Sequence, residues 1–393
     1  MVIQGGEDPT LFLESLPYSA QWNVGPVNRD NLAATAYARV RQPYIARFRT
    51  IPVPTNFAHT TSDCSFLLPE SLQVLLSAYL RIDLPALATG VHYRKFGGAR
   101  VLREVRVLSV GQQVFSCDYR DVMTDYLTNL ERSAYESFCD THLGGRDEKE
   151  DARTILVPLP LWNSAIFARS HTGHLGAIPA AGFANNRLEF IINFADSRDL
   201  TTTGVVTPAF TTIQVECHEA LMPSAALRAY ARQNGNYSLI SRAFRRLNNV
   251  DNEVAISLNA PGGAYEEIII AAVKQGNANL DQIDMFDYVV PTEMALVCDS
   301  RNVRTLDGAQ AAIEQFANGF PSTADIKTPI RFCLGTHTRA YGSNSYSGAF
   351  SFDAISNVTV KLKFAEAVFV RILGICKARY SIAANGEVTQ SLR

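Results

Sequence analysis

The stretch Arg187-Leu-Glu-Phe-Ile-Ile-Asn-Phe194 places Leu188, Phe190 and Ile192 on one face of an extended chain, with Glu189, Ile191 and Asn193 on the other. A period of two over eight residues is the signature of a half-buried β-strand. The same pattern recurs upstream at residues 44–55, 71–84, 100–116 and 154–162, and downstream at 209–217. The second half repeats it at 237–247, 254–258, 266–273, 293–298, 329–333, 358–364 and 368–382. Clusters of Pro, Gly and Asn separate these runs. Helical spacing is rarer. Asp118–Phe138 carries Val122, Met123, Tyr126, Leu127, Leu130 and Phe138 on one stripe, with Asp118 placed to cap it. A shorter helix is expected over Asp307–Ala317. Many short strands with turns between them predict an all-β chain of packed sandwiches, not alternating β/α units.

At 393 residues the chain exceeds what one hydrophobic core fills, so two domains or one duplicated domain are expected. A duplication is visible. Val105-Arg-Val-Leu108 followed by Gly111-Gln-Gln113 matches Val303-Arg-Thr-Leu306 followed by Gly308-Ala-Gln310, and Ile45-Ala-Arg-Phe-Arg49 matches Ile240-Ser-Arg-Ala-Phe-Arg245. The organisation expected is an N-terminal arm over 1–40, a first sandwich over 41–220, a linker over 221–235 and a second sandwich over 236–393. The linker is expected to hold a short helix capped by Ser224, then the turn Asn234-Gly-Asn236.

Apolar residues make up 47% of the chain and charged residues 19%, below the roughly 25% of ordinary soluble proteins. That excludes disorder and suggests surface buried against partners. With 36 Lys+Arg against 38 Asp+Glu, no basic excess drives specific nucleic-acid binding. The apolar runs Val74–Val91 and Ala365–Cys376 are broken by Arg81, Asp83 and Arg371, too short for a membrane span. Residues Met1–Asp8 are Gly-rich and acidic, unlike an export leader. Cysteines 64, 117, 139, 217, 298, 333 and 376 show no Cys-x-x-Cys pair, so free intracellular thiols are expected in a chain that is not secreted.

No phosphate-binding loop and no Gly-x-Ser-x-Gly elbow occur. His171 and His174 flank Thr-Gly with no acid or thiol beside them, and an exposed loop explains them better than a metal. Cys217 and His218 are adjacent, hence on opposite faces of a strand and unable to act as nucleophile and base. Asp121 and Asp125 lie one helical turn apart, where the helix dipole accounts for them without a cation. The charged run Gly144–Ala152 reads as a solvated loop. Arg242, Arg245 and Arg246 read as a strand edge rather than a contact to genome or lipid. Asn236-Tyr-Ser and Asn357-Val-Thr match the glycosylation pattern but sit at strands, and are expected to be unmodified. No catalytic, cofactor-binding or metal-ligating residue is assigned, no cofactor is expected, and the chain is read as a non-enzyme.

Thr154-Ile-Leu-Val-Pro-Leu-Pro-Leu-Trp162 resembles the aliphatic-Pro-Leu-Pro-aromatic strand of double jelly-roll major capsid proteins, the lineage of adenovirus hexon, nucleocytoplasmic large DNA viruses and polinton-like elements. Leu175-Gly-Ala-Ile-Pro179 and Asn186–Phe194 follow in the order found there. Thr212-Ile-Gln-Val-Glu216 and Tyr237-Ser-Leu-Ile240 resemble the junction between the family's two rolls. Ser347-Gly-Ala-Phe-Ser-Phe-Asp353 and Ala378–Gly386 resemble its last segments. Two departures stand out: Tyr346 precedes Ser347 where the family has Pro, and Ile178-Pro179 replaces a Leu-Pro pair.

The resemblance implies two tandem eight-stranded antiparallel jelly-roll sandwiches with short helices in the inter-strand loops. It implies a homotrimer acting as a pseudo-hexagonal capsomer of an icosahedral virion, with self, neighbouring capsomers, penton and minor capsid proteins as partners. A β-sandwich of this kind is also compatible with carbohydrate binding or cleavage, for which Glu266-Glu267 and Asp281/Asp284 are the candidate carboxylates. A minor vertex or spike protein of a similar virus is the third reading.

Overall fold

The fold is taken from a computed structural model, which describes residues 45–52, 63–69, 71–127, 130, 132–160, 187–202, 210, 212–221, 236–246, 252–257, 264–274, 288–310, 313, 330–333, 350–351, 357–382 and 388–392. The expected arm over 1–40 and most of the linker over 221–235 lie outside them.

In the N-terminal half the strands are β1 (Ile45–Pro52), β2 (Asp63–Leu67), β3 (Val74–Leu84), β4 (Leu102–Ser109), β5 (Gln112–Asp118), β6 (Arg153–Pro158), β7 (Glu189–Phe194) and β8 (Thr212–Leu221). They form two antiparallel sheets, β1-β8-β3-β6 and β2-β7-β4-β5. The C-terminal half supplies β9 (Asn236–Arg246), β10 (Glu253–Ser257), β11 (Ala264–Lys274), β12 (Glu293–Cys298), β13 (Arg301–Asp307), β14 (Ile330–Cys333), β15 (Phe350–Ser351), β16 (Val358–Lys363), β17 (Val368–Ile382) and β18 (Val388–Leu392). Its sheets are β10-β16-β12-β13 and a six-stranded sheet in which β9, β17, β11 and β14 follow one another, with β15 and β18 added. The strand order of the first half is therefore repeated in the second, β9 standing for β1 and β10 for β2. Compact packing divides the chain into two units, one within Met1–Val122, Glu136–Leu239 and Ala378–Ser391, the other within Met123–Tyr135, Ile240–Lys377 and Leu392–Arg393.

Alternation drives the packing. Leu188, Phe190 and Ile192 are fully buried while Glu189 and Ile191 are only partly so, and Phe66 stacks on Phe190 at 4.9 Å. In the second half, Val358, Val360 and Leu362 of β16 join Ile268, Ile270, Val368 and Val370 in one core between two sheets. The first set is the face that the alternation of residues 187–194 predicts.

The two hairpins β4–β5 and β12–β13 correspond closely. Each turns through two residues in the left-handed region, Val110 (φ 52°) and Gly111 (φ 74°) in one, Asp299 (φ 46°) and Ser300 (φ 66°) in the other, the type I′ geometry that matches strand twist. Each has a register shift at the same place, between Val107 and Leu108 and between Leu296 and Val297. Each ends on an aspartate that caps a helix. The Asp118 carboxylate accepts the N–H of Arg120 at 3.1 Å, and the Asp307 carboxylate accepts that of Gln310 at 2.7 Å. Gln310 Oε1 in turn accepts the Asp307 N–H at 3.1 Å, completing a capping box. The turn residues, the register shifts and the capping aspartates are each separated by 189 positions (110 to 299, 107 to 296, 118 to 307).

That correspondence corrects the sequence alignment of Val105–Leu108 with Val303–Leu306. The first segment lies on β4 and the second on β13, the counterpart of β5. The match of Ile45–Arg49 with Ile240–Arg245 does fall on counterpart strands, β1 and β9.

Besides the helix that Asp307 opens, described at residues 308–310 and 313 within the expected Asp307–Ala317, the helices among the described residues are α1 (Gly97–Val101), α2 (Tyr119–Leu127) and α3 (Arg132–His142). The single helix expected over Asp118–Phe138 is thus two. The apolar spacing runs on through Leu130, so it carried no mark of the break.

Candidate functional site

Three connections of the first unit are bonded into one platform: residues 85–96, 143–152 and 195–202. Tyr93 is the hub. It makes bridge pairs with both Lys149 and Thr201, its N–H donates to the Lys149 carbonyl at 2.8 Å, and its hydroxyl donates to the Pro85 carbonyl at 2.6 Å. The ring is 1% exposed, with the Arg153 guanidinium 5.1 Å from its centroid. Burial pushes the phenol up to about 12, partly offset by the Arg153 charge. Around it, Leu87 N–H donates to the Glu150 carbonyl at 2.9 Å, Arg94 N–H to Leu200 at 2.7 Å and Thr202 N–H to His92 at 3.0 Å. The Glu150 carboxylate accepts the Gly90 N–H at 2.9 Å and faces His92 Nε2 at 3.4 Å.

The run Gly144–Ala152, expected as a solvated loop, is therefore a structural part of the platform. Phe96 N–H donates to Gly145, Gly145 N–H to Cys139 at 3.0 Å, and Arg146 pairs with Glu136 at 3.1 Å. Only the side chains at its crest, Asp147, Glu148, Lys149, Asp151 and Ala152, are exposed. Nothing periodic marks Tyr93 or Arg153 in the sequence. Their role comes from main-chain pairing between distant loops, which a linear pattern does not encode.

The chemical candidates do not converge. Cys217 is fully buried and His218 half-buried on alternate faces of β8, and burial lowers the His218 pKa below its usual value. Asp121 and Asp125 are fully buried on α2, not merely set at a dipole end. Thr124, between them, accepts the Tyr288 hydroxyl at 2.7 Å within the second unit. Asp199 pairs with Arg120, and Asp196 with Arg198, whose hydrogen bond holds the Asp196 carboxyl below the usual range. Cys64, Cys117, Cys139, Cys217 and Cys298 are free and buried, and burial lifts the Cys64 thiol to about 11. Among the described residues, no group of three His, Cys, Asp or Glu is placed to hold a metal. No described helix is long and apolar enough to cross a membrane. Asn357 is exposed, and its Oδ1 accepts the Thr359 hydroxyl at 3.2 Å. His171, His174, Asp281 and Asp284 lie outside the described residues, as do the side chains of Asn236, Arg242, Arg245, Arg246, Glu266 and Glu267.

What the arrangement offers is thus two sandwiches with the same strand order, four principal strands to a sheet, and a rigid set of loops. No family model matches the chain, and no curated protein does. Solved structures do. PBCV-1 VP54, fitted into a reconstruction of the virophage Sputnik, superposes with a TM-score of 0.69 over 89% of this chain and 97% of its own, at 9% identity. The Faustovirus major capsid protein gives 0.66 over 87% and 91%, at 7% identity. The mavirus major capsid protein gives 0.51 over 88% and 90%, at 11% identity. The fold is the double jelly roll of viral major capsid proteins. In double jelly-roll terms, the sheets β1-β8-β3-β6 and β2-β7-β4-β5 make one roll, the sheets built on β9-β17-β11-β14 and β10-β16-β12-β13 the other, and the platform is made of loops of the first.

Proposed function

We propose that this chain is a major capsid protein, assembling as homotrimeric pseudo-hexagonal capsomers into an icosahedral shell. The observation that carries the reading is the repeated strand order, β1-β8-β3-β6 with β2-β7-β4-β5 and then β9-β17-β11-β14 with β10-β16-β12-β13. It is supported by likeness, over nearly the whole length of both chains, to structures whose names are those of major capsid proteins. Two rolls per chain give six per cyclic trimer, the geometry of a hexagonal tile. The mechanism is assembly rather than catalysis. Its partners are further copies of itself, and at special positions of the shell penton and minor capsid proteins. Its place is the virion, after synthesis inside the host cell. The domain limits proposed are an arm over 1–40, rolls over 41–220 and 236–393, and a linker between them.

Light scattering on the purified protein tests this. Three copies of the 43.2 kDa chain should give a species of about 130 kDa, and electron micrographs should show hexagonal outlines. A stable monomer at micromolar concentration would overturn the reading.

A further inference from the structure

The repeat supplies an internal control for surface chemistry, because the sheets β2-β7-β4-β5 and β10-β16-β12-β13 can be compared position by position on their outward faces. In the first roll one cross-strand row reads Leu67–Glu189–Leu108 and the next Ser65–Ile191–Arg106. The matching rows of the second read Ser257–Thr359–Val297 and Ala255–Lys361–Ala295. Leu67 thus stands where the second roll has Ser257, Ile191 where it has Lys361, and Val110, at the hairpin turn, where it has Asp299. Leu67 is 44% exposed and Val110 58%.

Val110 is a β-branched residue held at φ 52°, a conformation that Asn, Asp or Gly adopts at far less cost. The hairpin keeps strain at an exposed apolar tip, which points to a use outside the fold. Glu189 sits amid this apolar patch. Neither it nor Lys361, exposed on the other roll's face, takes an ion-pair partner among the described residues, while Arg106 faces Glu104 at 3.9 Å and Lys363 faces Glu253 at 3.1 Å.

We infer that the patch formed by Leu67, Leu108, Val110 and Ile191 around Glu189 is a subunit contact, seated on the Lys361 face of the second roll of another copy. The contact is heterologous, first roll to second roll, the interface type that a cyclic trimer requires. Apolar side chains supply contact area, and the Glu189–Lys361 pair fixes register. This rests on the capsid reading above and names the surface it uses.

Four variants test it: Glu189→Lys, Lys361→Glu, the two combined, and Val110→Asn. Each is sized by light scattering over a dilution series and melted alongside the wild type. Each single charge reversal should shift the trimer-to-monomer midpoint at least tenfold toward higher concentration, and the combination should restore it. Val110→Asn should raise the melting temperature of the monomer while weakening assembly, a split that a purely structural role would not produce. A wild-type trimer that neither charge reversal weakens would overturn this surface and leave the capsid reading standing. Loss without rescue in the combined variant would overturn the Lys361 face as its partner. A wild type that stays monomeric would overturn both.

Discussion

Phe190 has no exposed surface, stacks on Phe66 at 4.9 Å and lies on β7, between β2 and β4, so its truncation leaves a void that neighbouring strands cannot close. Phe190→Ala should cost roughly 3–5 kcal/mol in urea denaturation and prevent assembly. His142 responds to acid rather than volume. Its ring is stacked between Tyr79 and Phe138, its Nδ1 bonds the Leu156 carbonyl at 3.0 Å, and burial lowers its pKa. The folded state therefore binds a proton less readily than the unfolded chain. The stabilisation is complete above the unfolded value, about 6.5, and is lost as pH falls through the lower folded value. Melting temperature should drop between pH 7 and 5, and His142→Gln should flatten that slope, though His218, shifted the same way by burial, keeps part of it. A slope unchanged in His142→Gln would place the acid sensitivity elsewhere. At this scale the core positions were legible from alternation alone. The burial of Asp121 and Asp125 was not, because a carboxylate on a helix reads identically whether it faces water or protein.

The platform loop sets the prediction for whole elements. Removing Gly145–Asp151 deletes the carbonyls that accept from Phe96, Tyr93 and Leu87, along with the Glu150 carboxylate that accepts from Gly90. At about 0.5–1.5 kcal/mol for each net hydrogen bond, the loss should reach several kcal/mol, and the first roll should melt earlier. Pulsed proteolysis would show new cleavage in 85–96 ahead of global unfolding; a deletion variant as resistant as wild type would refute the pinning. The charge run predicted the opposite, since composition reports the side chains at the crest and not the main chain beneath them. Sequence similarity misjudged the hairpins in the same way. What β4–β5 and β12–β13 share is a turn, a bulge and a capping aspartate, and of these only Asp118 and Asp307 are the same residue in both.

For the whole molecule, the five cysteines whose side chains are described are free and buried, and Cys333 and Cys376 are expected to be free as well, so the melting temperature should be the same with and without reducing agent. Alkylation of the unfolded, unreduced chain should add seven labels, and fewer would reveal a disulfide. The all-β class, the two-part division and the ordered resemblance along the chain were readable without coordinates, because strand period and turn composition are local. The matching strand orders were not, since pairing such as β1 with β8 joins residues far apart in sequence. The platform has one further consequence. Its three loops are locked together mainly through backbone groups, which are common to every residue type except proline at the donors. Side chains at its crest, such as Thr89, Asp147 and Glu148, are therefore free to be exchanged over generations. The same surface can change its chemical identity repeatedly while its contour stays fixed.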